Sequence, residues 1–168
     1  FITSDFMNTW TKYDCKTTSG TSCTFTSYTS MCVYKNRLYI CGAGSDKNTF
    51  YISEENDYSN LISFSNTYKG PYGQIACSDN VLAYTNRTGS DSRYQYLFYT
   101  TADDVTSPNL TSLWNKDLKV NTLSLIYLNN KFWNFGSGSP AIKCYSYNES
   151  TSKLDVTVLN YDYSSYGA

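Results

Sequence analysis

The sequence predicts an all-β chain assembled from repeated four-stranded antiparallel units, three of them complete and a partial one at the N-terminus. Three observations carry that expectation: a composition poor in helix formers, a gapless repeat centred on asparagine turns, and a hydroxyl–acid signature that recurs once per unit.

The chain has 168 residues, enough for one domain with a substantial buried core. Its bias is aromatic: 18 residues are tyrosine and 17% are Phe, Trp or Tyr. Aromatic and β-branched side chains fit a pleated sheet, whereas the Ala, Glu, Lys and Leu that fill helices are few. A net charge of −1 provides no electrostatic footprint for a polyanion, so nucleic acid is not an expected partner. No apolar run is long enough to cross a bilayer, and membrane insertion is not expected. The chain opens at Phe1, in what reads as mid-strand, which points to processing or to a segment of something longer.

The repeat aligns Val33–Gly42, Cys77–Asn86 and Tyr127–Gly136 without a gap, and Asn36, Asn80 and Asn130 lie 44 and 50 positions apart. Each segment predicts a hairpin closed by a two-residue turn: Lys35-Asn36, Asp79-Asn80 and Asn129-Asn130. Asparagine tolerates the positive φ of a type I′ turn better than other non-glycine residues. The turn then sets the register, so Val33 should face Leu38, Cys77 should face Leu82 and Tyr127 should face Phe132, with apolar pairs on one face. Cys32 should pair with Tyr39, which disfavours a cross-strand bridge from Cys32 to Cys41. The units are placed at 1–14 (partial), 30–69, 74–118 and 122–162. Strands of the last unit are expected at about 122–128, 131–137, 141–147 and 154–161.

After the third strand of each unit comes a hydroxyl residue two positions before an acid or amide. The pairs are Thr3 and Asp5, Ser53 and Glu55, Thr101 and Asp103, and Ser146 and Asn148. The first copy continues to Thr9 and Trp10, and Trp114 follows the third after an insertion through Pro108. This pattern resembles the Asp-box (BNR) motif, Ser/Thr-x-Asp-x-Gly-x-Thr-Trp, of sialidase-like β-propellers, as also found in bacteriophage tail and fibre proteins. The resemblance implies a β-propeller-like array of four-stranded blades, with the acid and hydroxyl tying up turn N–H groups and the Trp plugging the space between blades. Propellers close with four to eight blades, so three and a half imply further blades in the same polypeptide or closure through a partner subunit.

The motif is structural and does not by itself bring catalysis. Sialidase chemistry needs an arginine triad, a Glu-activated Tyr and an Asp acid. The chain has only Arg37, Arg87 and Arg93, which read as surface residues. The carboxylates a glycosidase would need, Glu54, Glu55, Asp57, Asp103 and Asp104, fall in loops where the repeat already wants an acid. With no histidine, every Ser-His or Cys-His arrangement is excluded. Six cysteines without a C-x-x-C pair make a poor zinc site, and no cofactor or metal is expected. Only Cys15 and Cys23, in a Thr/Ser/Gly-rich loop, read as free to approach one another. Most aromatics are accounted for as core or interblade residues. Possible ligand contacts are Arg87 and Arg93, which flank a loop, and Tyr163 and Tyr166, which escape the repeat.

These features favour a non-enzymatic module, a structural or host-attachment part of a virion such as a phage tail, fibre or capsid surface. The alternative is a secreted carbohydrate-binding or sialidase-like propeller. Location is accordingly expected to be virion or extracellular, with protein subunits and surface glycan as partners.

Overall fold

A computed structural model describes residues 16–17, 20–22, 30–41, 49–65, 74–87, 95–103, 115–120, 124–135 and 142–159. The described residues are all-β, in three sheets. The first holds β1 (Lys16–Thr17), β2 (Ser30–Tyr34), β3 (Arg37–Cys41), β4 (Thr49–Glu54) and β5 (Asp57–Ser65). The second holds β6 (Gln74–Cys77), β7 (Leu82–Arg87), β8 (Gln95–Thr100) and β9 (Asn115–Val120). The third holds β10 (Ser124–Leu128), β11 (Lys131–Phe135), β12 (Ile142–Asn148) and β13 (Lys153–Leu159), within two residues of the strand limits read from the repeat.

In each sheet four consecutive strands pair antiparallel with their sequence neighbours. The first sheet carries one addition: β1 lies parallel to β5, with Lys16 opposite Asn60 and Thr17 opposite Leu61. The repeat has no counterpart for this strand. It occupies the outer edge of β5, where backbone groups would otherwise lack a ladder partner.

Register follows the turns. Val33 faces Leu38, Cys77 faces Leu82, Tyr127 faces Phe132, and Cys32 faces Tyr39. Two of the turns have the left-handed backbone of type I′, with φ of 48° and 59° at Lys35 and Asn36 and 50° and 58° at Asn129 and Asn130. The middle turn differs, since neither Asp79 nor Asn80 has positive φ. There Ser78 N donates to Val81 O at 2.8 Å, while the Ser78 hydroxyl accepts from Val81 N at 3.0 Å and Asn80 N at 3.3 Å. A side-chain oxygen thus takes the place of a backbone carbonyl and lets the turn close without left-handed residues.

The sheets stack face to face. Tyr34, Tyr39, Cys41 and Ile52 from the first pack with Ile75, Leu82, Tyr84 and Phe98 from the second. The other face of the second, with Ala76, Val81, Ala83, Leu97 and Tyr99, packs with Leu125, Phe132, Tyr145 and Leu154 of the third. Being covered on both sides, the middle sheet buries every residue from Val81 to Thr85, where one-sided strands alternate. Leu82 and Leu97 point to opposite faces of it and are both fully buried, each contributing about 1.5–3 kcal/mol of transfer free energy. The first strands β2, β6 and β10 are neighbours in that order along one side of the stack.

The turn-flanking pairs share one face of each sheet as the register requires, but that face is not buried alike in all three. Cys77 and Leu82 pack between sheets, but Val33 is exposed and Leu38 half-buried, on the side of the first sheet away from the second. Tyr127 is at the margin of exposure while its partner Phe132 is buried. Register is local, whereas burial depends on which sheet arrives on which face.

Candidate functional site

The turns after β2 and β4 lie side by side, because Asn56 N, at a residue with φ of 58°, donates to Asn36 O at 2.8 Å. Beneath them Ser53 is completely buried. Its hydroxyl accepts from Leu38 N at 2.8 Å and donates to Glu54 O at 2.7 Å, beside a register shift between Ser53 and Glu54. The second sheet reaches the same place through residues that follow β8, where Ala102 N donates to Thr100 Oγ1 at 3.2 Å.

Two ion pairs order the charges here. Lys35 Nζ lies 3.3 Å from Asp103 Oδ1, joining the first sheet to the second. Arg37 lies 3.7 Å from Glu55 Oε2 and also donates to Ser53 O at 3.1 Å. Lys35 further sits 5.8 Å from the centre of the Tyr34 ring. Tyr34 is buried and its hydroxyl donates to Asn80 O at 3.4 Å. Burial, with Asp103, Cys77 and Tyr147 nearby, pushes its phenol up to about 12.

Two clefts flank Lys35 and Asn36. The smaller, about 360 Å³, is lined by Lys35, Asn36, Arg37, Glu55 and Asp103. The larger, about 470 Å³, gathers Tyr34 and Asn36 from the first sheet, Cys77 and Asp79 from the second and Tyr127 from the third. Both are open and of mixed polar and apolar lining, with charges balanced inside them. Among the described residues, no group of three or more Cys, Asp or Glu side chains gathers as metal ligands would. No helix among them is long and apolar enough to cross a membrane.

Of the motif residues, Glu55 and Asp103 line the smaller cleft, and Ser53 supports it from below. Thr101 is exposed, and the hydroxyl that bonds the turn in its sheet belongs to Thr100, one position earlier. Asn148 caps the turn after β12: its Oδ1 accepts from Ser150 N at 3.1 Å and Ser150 Oγ at 2.6 Å, and its Nδ2 donates to Asp155 at 2.9 Å. Ser146 lies half-buried two residues before it in β12. Thr3, Asp5, Thr9, Trp10, Trp114, Arg93, Tyr163 and Tyr166 lie outside the described residues, as do Cys15 and Cys23. Arg87 ends β7, and only its backbone is described.

The sequence marked Lys35 and Asp79 only as turn residues, not as site residues, and Arg37 read as a surface residue although its side chain is mostly buried. The available signal was two cations on either side of the turn asparagine Asn36, Lys35 and Arg37, in a unit whose loops carry acids; the other copies of the turn do not repeat it. No protein-family profile matches the chain, and no curated protein sequence matches it.

Proposed function

We propose that the chain is a wedge of a β-propeller and serves as a non-enzymatic structural or host-attachment module of a virion, at a phage tail, fibre or capsid surface. The virion and extracellular setting rests on the resemblance of the repeats. The propeller reading is supported by sheets stacked face to face with their first strands side by side.

One observation carries the structural role. In the first sheet, Cys32, Tyr34, Tyr39 and Cys41 form the face that the second sheet covers. The repeat places Ile126, Leu128, Trp133 and Phe135 at the same positions of the third sheet. There Ile126, Leu128 and Phe135 are exposed, at 43%, 56% and 37%. That face has the register and the apolar character of one made to be covered. The partner proposed for it is another sheet of this repeat, from a further blade of the same polypeptide or from another subunit.

Light scattering on the chain beside a doubly substituted Ile126→Asp, Leu128→Asp variant tests this. Self-association that the variant loses is the expected result. A stable monomer indifferent to the substitutions overturns the uncovered-face argument. Turnover of a fluorogenic sialoside, abolished by Arg87→Ala, overturns the non-enzymatic reading.

A second reading, glycan binding, is favoured by the larger cleft, where Tyr127 stands beside Asn36, Lys35 and Asp79. A ring flanked by amide and charged groups suits a sugar's apolar face and hydroxyls. Glycan-array binding that Tyr127→Ala removes, without turnover, supports it.

A further inference from the structure

We propose that Cys32 and Cys77 form an oxidation site at which a low-molecular-weight disulfide converts two thiols into a cystine joining the first sheet to the second. The argument begins from strand placement. The Ser30 hydroxyl accepts from Ile75 N and donates to Ile75 O, both at 3.1 Å, which holds the start of β2 against β6. Two residues further along each strand, in the same direction, come Cys32 and Cys77. Beyond them Tyr34 donates to Asn80 O. The two cysteines are thus bracketed by contacts that set them side by side.

Their side chains meet. Cys77 lies close enough to Cys32 to shift its ionisation, and Cys77 Sγ donates to Val33 O at 2.9 Å. Both thiols pack on the same apolar cluster between the sheets, and both are half-buried. Cys77 also lines the larger cleft, which leaves its sulfur open to a small oxidant.

Reactivity divides between the two. The neighbouring Cys32 thiol lowers Cys77, against the opposing effects of burial and Asp79. The same closeness, together with burial, holds the proton on Cys32. Cys77, which opens to the cleft, is the attacking thiol once it gives up the proton it donates to Val33 O, and Cys32 is the resolving thiol. The Cys77 thiolate attacks one sulfur of the small disulfide, forming a mixed disulfide and releasing one small thiolate. Cys32 then gives its proton to that thiolate and attacks the Cys77 sulfur, and the second small thiolate leaves and takes up the proton that Cys77 lost to solvent. Two protein thiols are oxidised, and one small disulfide is reduced to two thiols.

Cys41 is the competing partner, since it is buried in the same cluster. The register keeps it opposite Ser30, two positions from Cys32, and burial pushes its thiol up, which disfavours thiolate chemistry. Cys144 lies in β12 of the third sheet and stands outside this interface.

The test is to incubate the folded chain with oxidised glutathione, alkylate the remaining thiols and map the disulfide-linked peptides by mass spectrometry. A peptide pair linking Cys32 to Cys77 is expected, with Cys41 and Cys144 alkylated only after unfolding. Cys32→Ser should leave Cys77 as a stable glutathione adduct, and Cys77→Ser should leave Cys32 unmodified. The oxidised parent should unfold at higher urea than the reduced one, a difference that Cys32→Ser abolishes. A Cys32–Cys41 link, separate adducts on both cysteines, or unreactive thiols in the folded chain each overturn the proposal, and the parent's peptide map decides even if a variant fails to fold.

Discussion

Asn36, Asn80 and Asn130 occupy the same position in the repeat, yet alanine there should not cost the same. Asn36 and Asn130 have φ of 59° and 58°, a region in which a Cβ-bearing residue other than Asn or Asp loses about 1–2 kcal/mol. Asn80 has negative φ, and its turn is closed by the Ser78 hydroxyl. The polar contacts of these asparagine side chains are weak: Tyr127 donates to Asn130 Oδ1 at 3.5 Å, in an exposed position. Backbone conformation should therefore decide the outcome. Asn36→Ala and Asn130→Ala should each lose about 1 kcal/mol, and Asn80→Ala a few tenths at most. With a urea slope of about 2 kcal/mol/M, the first two lower the unfolding midpoint by roughly 0.5 M and the third barely moves it. Glycine reverses the pattern, being tolerated at 36 and 130 and costing roughly 0.5–1 kcal/mol at 80 through backbone entropy. Equilibrium urea unfolding followed by tyrosine fluorescence measures all six variants. Equal losses at the three alanine sites would refute the assignment of two left-handed turns and one hydroxyl-closed turn.

Further outcomes follow from the packing and the buried polar groups. Ser53→Ala removes the acceptor of Leu38 N and should cost about 1–3 kcal/mol in urea unfolding, since that donor loses its partner at a site closed to water. Leu82→Ala, in the interface between the first and second sheets, should cost about 2–5 kcal/mol, whereas Leu128→Ser on the exposed face should change unfolding by under about 0.5 kcal/mol at concentrations dilute enough to keep the chain monomeric. Tyr34 has a folded-state pKa of about 12, above an unfolded value near 10. Its neutral phenol thus stabilises fully below pH 10 and loses that contribution as pH rises through 12. Tyr34→Phe should flatten the fall of stability with pH in that window, by an amount on the order of 2 kcal/mol; a parallel fall in both proteins would refute it.

What could be read from residues alone was what neighbours along the chain decide. Asparagine turns and alternating side chains act over a few positions, so the pairings of Val33 with Leu38, Cys77 with Leu82 and Tyr127 with Phe132 were accessible without coordinates. The third sheet's strands were legible for the same reason. Ser78 lay beyond that reach, because its hydroxyl competes with a backbone carbonyl only once the turn has closed. The smaller cleft was half legible: the acids Glu55 and Asp103 stood out as motif positions, while their cations did not. Lys35 finds Asp103 across a sheet boundary, and no spacing encodes that meeting.

The sequence by itself determined an all-β chain, its hairpins and their register, because these rest on local turn chemistry and a period of two. Tertiary structure alone decided which face of each hairpin is buried, leaving Val33 and Leu128 in water while Leu82 is enclosed. It also decided that Cys32 meets Cys77 across 45 residues of chain, a contact that exists only where one sheet packs on the next.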